Sequence, residues 1–137
     1  MSQTRDRLSG GALNAAIANE LGKLIADFTG RGATKSRAFV DQDVVICVFE
    51  DGATTAERNL VVAGKADLVR LQRDALQHAV GPQLVAAVER LTSRTVRRFL
   101  SGMDEEGGCS IEAFLLEPES PAEDHQHSID GRDGAQR

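Results

Sequence analysis

The chain has 137 residues, a formal net charge of −5, 41% hydrophobic residues, no Trp, no Tyr and five Phe. That length suits one ordinary domain rather than two, and such a domain buries about two thirds of its unfolded surface without needing a metal or a disulfide. Six acids and two bases fall between Glu117 and Arg137, so residues 1–116 are nearly neutral; that balance and the scarcity of aromatics argue against broad nucleic-acid binding.

Residues 1–10 read as a flexible lead-in without an apolar signal core. In the stretch ALNAAIANELGKLIADF, Leu13, Ile17, Leu21, Leu24, Ile25 and Phe28 recur every three or four residues, which predicts one apolar helix face. Gly30 stands where a left-handed residue ends a helix. SRAFV and DVVICVFE follow as two strands of a tight hairpin around Asp41-Gln42. Val44 to Phe49 is apolar at every position, so both faces of that strand should be covered, one by helices and the other by a second subunit.

Thr54 and Glu57 have capping-box spacing, which predicts a short helix from Thr55 to about Ala63, stopped by Gly64. A longer helix starts at Lys65, with Leu68, Leu71, Ala75, Leu76 and Ala79 expected inward. Gly81-Pro82 should kink or break it, because proline lacks an amide and clashes with the preceding turn; Pro82 could then open a new helix carrying Leu84, Val85, Val88 and Leu91. Thr95–Met103 and Cys109–Glu117 read as strands around an exposed acidic loop. The polar tail, residues 118–137, is expected to be disordered. The predicted fold is thus α+β in the order α-β-β-α-α-β-β, a four-stranded, mainly antiparallel sheet packed against helices, with one domain over residues 11–117.

The segment GRGATK is the foremost candidate site. Gly30 and Gly32 could let backbone amides form an anion nest, with Thr34 beside them and Arg31, Lys35 and Arg37 supplying charge. The plainer alternative is a helix stop, a turn and solvated cations. The order helix–loop–strand differs from a phosphate-binding P-loop, which runs strand–loop–helix. Asp41, Asp43, Glu50 and Asp51 flank hairpin ends, where local hydrogen bonding explains acids better than metal or acid–base chemistry. His78 has no Cys or acid at ligand spacing, and His125 and His127 offer only a weak HxH in the tail. The arginines at 70, 73, 94, 97 and 98 could form a basic face for an acidic partner or a lipid surface, but scattered surface cations are the commoner explanation. Cys47 and Cys109 have no metal-type spacing and are expected as free thiols in a reducing cytoplasm. No nucleophile, metal or cofactor motif appears, so a non-enzyme without cofactor or metal is expected.

The runs GRGATKSRAFVDQDVVICVFEDGATTAERNL, LVRLQRDALQHAV, VAAVERLTSRTVRRFLSGMD and IEAFLLE together resemble the MpsC-like family over about residues 11–117. That bacterial family takes its name from a component of a sodium-translocating, membrane-potential-generating system. Two departures stand out. Ala33 replaces a frequent Pro, and Asp104-Glu105-Glu106-Gly107-Gly108 replaces a loop with His and Asp-Pro, so no role of that His carries over. The resemblance implies a small soluble protein beside, or regulating, a membrane system for ions or inorganic carbon, and it transfers no catalytic residue. The expectation is a cytoplasmic accessory or regulatory homodimer that touches a membrane-protein partner through Arg31, Thr34, Lys35 and Arg37, neither inserting into the bilayer nor binding nucleic acid. The alternative is a sensor of a small phosphate- or carboxylate-bearing anion at the same loop.

Overall fold

In the computed structural model, residues 8–105 and 108–119 are described. The elements are α1 (Gly10–Thr29), β1 (Lys35–Asp41), β2 (Val44–Glu50), α2 (Thr55–Val62), α3 (Ala66–Thr92), β3 (Val96–Met103) and β4 (Cys109–Leu116). The four strands form one antiparallel sheet in the order β1-β2-β4-β3, so the fold is α+β as the residue pattern predicts. The tail from residue 120, with His125 and His127, lies outside the described residues, as do residues 1–7 and 106–107.

The predicted face of α1 is the one that packs. Leu13, Ile17 and Leu21 are buried, and Leu24, Ile25 and Phe28 lean on the same core. Gly30 ends the helix at φ +84°, its amide donating to the Ala26 carbonyl. The core lies between α1, α3 and one face of the sheet. Val45, Cys47 and Phe49 of β2 enter it beside Phe114 and Leu116 of β4, and the Phe99 and Phe114 rings stack at 5.1 Å.

Two expectations for α3 are corrected: Gly81-Pro82 does not break it, and a different face turns inward. The helix runs unbroken from Ala66 to Thr92 with Pro82 inside it. Losing one helical hydrogen bond and straining a turn costs roughly 3 kcal/mol. Val80, Gly81, Leu84, Ala87 and Val88, all buried on either side of Pro82, offset that loss by packing. The inward face is also different: Leu68 and Leu71 are 51% and 68% exposed, whereas Val69, Arg73 and Gln77 point inward. Two polar residues occupy core-facing turns because buried carboxylates receive them.

The helix-free face of the sheet carries a row of apolar residues in register from edge to edge: Phe39, Ile46, Ala113 and Leu100. Phe39, Leu100 and Ile111 on this face are 51%, 57% and 46% exposed. Helices thus cover one side of Val44–Phe49, while among the described residues no helix or strand covers the other. Cys47 and Cys109 are free. They sit on neighbouring strands, with Cys47 opposite Glu112 and Cys109 opposite Glu50, on opposite faces of the sheet. Burial, and secondarily the Glu112 carboxylate, pushes the Cys47 thiol up to about 12, so it is not a thiolate at neutral pH.

Candidate functional site

The 30–37 segment is held by its own neighbours. The amides of Gly30, Arg31 and Thr34 donate to the Ala26 carbonyl, the Thr29 hydroxyl and the Glu50 carbonyl. The Arg31 guanidinium closes on the 51–53 turn, donating to the carbonyls of Ala53 and Asp51, both at 3.0 Å. The Thr34 hydroxyl donates to Asp51 at 3.2 Å. Arg37 pairs with Glu50 at 2.8 Å on the helix-free face. Gly32 and Lys35 are exposed, and Lys35 has no ion pair among the described residues. The cations therefore point at different groups. Arg31 and Thr34 fasten a turn, while Lys35 and Arg37 stand at one corner of the open apolar face.

The hairpin acids have similar local duties. Asp43 pairs with Arg94, whose guanidinium also donates to the carbonyls of Gln42 and Glu117 and so ties the β1–β2 hairpin to the end of β4. Glu50 holds Arg37, and Asp51 accepts from Thr34.

Beneath the 51–54 turn lies a buried ion pair that the residue pattern alone does not reveal. Arg73 meets Glu57 through two parallel bonds, Nε to Oε2 and Nη2 to Oε1, each 2.8 Å, and Nη2 also donates to the Gly52 carbonyl at 2.6 Å. Glu57 is at the same time the capping residue of α2: its Oε1 accepts from the Thr54 amide, and its own amide donates to Thr54. Burial pushes the Glu57 carboxyl up, but the bonds from Arg73 and Thr54 outweigh it and leave the pKa below its ordinary value.

A second polar cluster lies where α3 crosses β3 and β4. Glu112, wholly buried, accepts from Gln77 Nε2 at 3.0 Å, and Gln77 Oε1 accepts from the Ser101 hydroxyl at 2.7 Å. The second carboxylate oxygen, Oε1, has no hydrogen-bond partner among the described residues. Desolvation drives the Glu112 carboxyl up to about 7. Gln77 and Ser101 also line two cavities. One, of about 610 Å³, lies between Gly81, Pro82, Val85 and the strand residues Phe99 and Leu100. The other, of about 420 Å³, lies between Asp67, Leu71, Asp74 and Met103. Both fall in the size range of small-molecule and side-chain pockets.

Two signals in the sequence could have pointed here. Glu112 is an acid at a core-facing position of an alternating strand, and Gln77 lies in step with Val69, Arg73 and Val80 on α3. Each becomes visible only once the inward face of α3 is known.

No helix among the described residues is long and apolar enough to cross a membrane. No curated protein and no solved structure matches the chain. Residues 9–118 match the family described as Na+-translocating membrane potential-generating system (MpsC), a span that covers every helix and strand set out above. The chain belongs to the MpsC family.

Proposed function

We propose that this protein is a non-enzymatic accessory or regulatory component that works beside the membrane subunits of a sodium-translocating, potential-generating system, and that it does so as a homodimer. Family membership supports the setting. The observation that carries the working mode is the open sheet face, where Phe39 and Leu100 are exposed and Ile46 and Ala113 half-buried in one row, while the opposite face carries the helices and the core. A monomer rarely leaves so continuous an apolar row in water.

The corners of this face suit a two-fold pairing of copies. Lys35 and Arg37 mark one end of β1 and Asp41 the other, all projecting to the open side. A two-fold axis lying across the strands brings the Lys35 end of one copy over the Asp41 end of the second, so the interface is complementary to itself. Four strands spaced ~4.8 Å apart and six residues rising ~3.3 Å each give a footprint of about 400 Å². That is about half of the ~800 Å² that a standard interface buries on each partner, so the dimer belongs to the weak, exchangeable class. A weak dimer suits a regulator that trades its own copy for a membrane-protein partner.

Sedimentation velocity from about 5 to 300 μM tests the dimer. The expected result is a concentration-dependent shift from monomer to dimer for the wild type, absent in Ile46→Lys, which places a charge at the centre of the row. A wild-type monomer throughout that range would contradict pairing through the sheet face. The small-anion sensor reading now rests mainly on Lys35, because the Arg31 guanidinium and three loop amides are already bonded within the protein.

A further inference from the structure

We infer that the free edge of β3, together with the facing side of α3, is a docking groove for an extended peptide from a partner protein. The peptide would add as a fifth strand and carry an apolar and a basic side chain on the same side. The groove adjoins the open sheet face that underlies the dimer proposal and shares Leu100 with it, while its other walls are built from α3.

Among the described residues β3 is an edge strand whose only ladder partner is β4. Its second side therefore presents unpaired amides and carbonyls, which template the addition of another strand. Proteins commonly blunt such an edge with bulges and charges. Here those devices are confined to the start of the strand, where a register irregularity lies between Val96 and Arg98 and two arginines occur at 97 and 98. Phe99 to Met103 contains neither a charge nor a proline.

The two cavities lie along this same stretch. Each is walled by α3 on one side and by residues from both faces of β3 on the other: Phe99, Leu100 and Ser101 in one, Ser101, Gly102 and Met103 in the other. A groove that touches both faces of a strand opens at its edge. Successive same-side residues of an added strand are ~6.6 Å apart, and Ser101 sits at the boundary shared by the two cavities. Alternate side chains of one peptide can therefore enter one cavity each.

The chemistry of the walls selects the occupant. The cavity at Pro82, Val85 and Phe99 is largely apolar. The cavity at Asp67 and Asp74 is acidic; its one cation, Arg70, lies 3.7 Å from Asp67. Gln77 and Ser101, backed by the buried Glu112, fix the ridge between the two cavities. Two carboxylates face one guanidinium at the acidic end, so a lysine or arginine complements that end and an aliphatic side chain the apolar one.

A random phage-displayed library of 12-residue peptides, selected on the full chain, tests this whatever the identity of the partner. Enriched peptides should share an aliphatic residue and a Lys or Arg two positions apart. The best of them, made synthetically and followed by fluorescence polarisation, should lose at least tenfold in affinity when alternate backbone amides are N-methylated, and little when the intervening ones are. Asp74→Lys changes an exposed residue, keeps the melting temperature and should weaken the same peptide about tenfold, whereas Ile46→Lys should bind it normally. No enrichment over the bare support, indifference to the pattern of N-methylation, or unchanged binding by Asp74→Lys would each overturn the proposal. So would self-association of the chain that is lost in Asp74→Lys, because it would show a second copy filling the edge.

Discussion

Glu57→Ala lowers the stability of the domain by about 3–5 kcal/mol, the cost of leaving a buried charge without its partner. For a domain of this size that corresponds to a fall in melting temperature on the order of 15 °C. The cause lies in Arg73, whose guanidinium is buried and keeps only the Gly52 carbonyl once the carboxylate is gone. The same substitution removes the acceptor for the Thr54 amide, so α2 loses half of its capping box as well. Replacing both partners, Arg73→Met with Glu57→Gln, recovers a large part of the loss, because a buried pair contributes less net stability than the cost of breaking it on one side. Thermal unfolding of the wild type and both variants checks these two statements. An alanine variant that melts within a few degrees of the wild type would contradict the burial of this pair. The pH dependence has a definite sign. The Glu57 pKa is depressed in the folded state, so its contribution is present above the unfolded value and is lost as pH falls through the folded one. That window lies on the acid side of about pH 4.5.

The second large effect comes from Glu112 and has the opposite sign. Its carboxyl is raised in the folded state, from an ordinary 4.5 to about 7. The folded protein therefore holds this proton where the unfolded chain has released it. Stability is highest below the unfolded value, falls as pH rises toward about 7, and levels off above it. The shift corresponds to about 3 kcal/mol across that interval, at ~1.4 kcal/mol for each pH unit. The chain is thus expected to be most stable near pH 5, between acid loss of the Glu57 pair and neutral-pH ionisation of Glu112. Urea unfolding at pH 5 and at pH 8 reads the difference directly. In Glu112→Gln, which keeps the shape and cannot ionise, the two values should converge and the pH 8 stability should rise. Equal stability of the wild type at both pH values would mean that Glu112 is already charged at pH 5.

Local features of the sequence foretold local features of the structure. The α1 face, the left-handed Gly30, the hairpin and the Thr54–Glu57 capping box all depend on residues within a few positions of one another. The inward face of α3 did not follow from periodicity. Its buried positions include Arg73 and Gln77, whose partners Glu57 and Glu112 stand 16 and 35 residues away. An apolarity count rejects such residues, and only the fold shows that their charges and amides are answered. For the same reason Arg73 reads from sequence as a surface cation. Pro82 misleads in the other direction: its local cost is real, and the packing of Val80, Leu84 and Val88 outweighs it. The all-apolar β2 foretold that its helix side would be core: Val45, Cys47 and Phe49 are buried there, and Ile46 on the other side is half-buried among the described residues. In GRGATK the residue types favour a turn but leave a site open. The direction of each side chain separates them, with Arg31 and Thr34 turned to the protein and Lys35 and Arg37 turned outward.

The accessory reading is tested most directly by the sodium-driven membrane potential of cells that lack this chain and keep the membrane subunits of the system. A potential-sensitive dye would follow the response to added sodium. The expected result is a reduced sodium-dependent potential that returns when the wild-type chain is supplied. A potential that is unchanged by the deletion would contradict an accessory role.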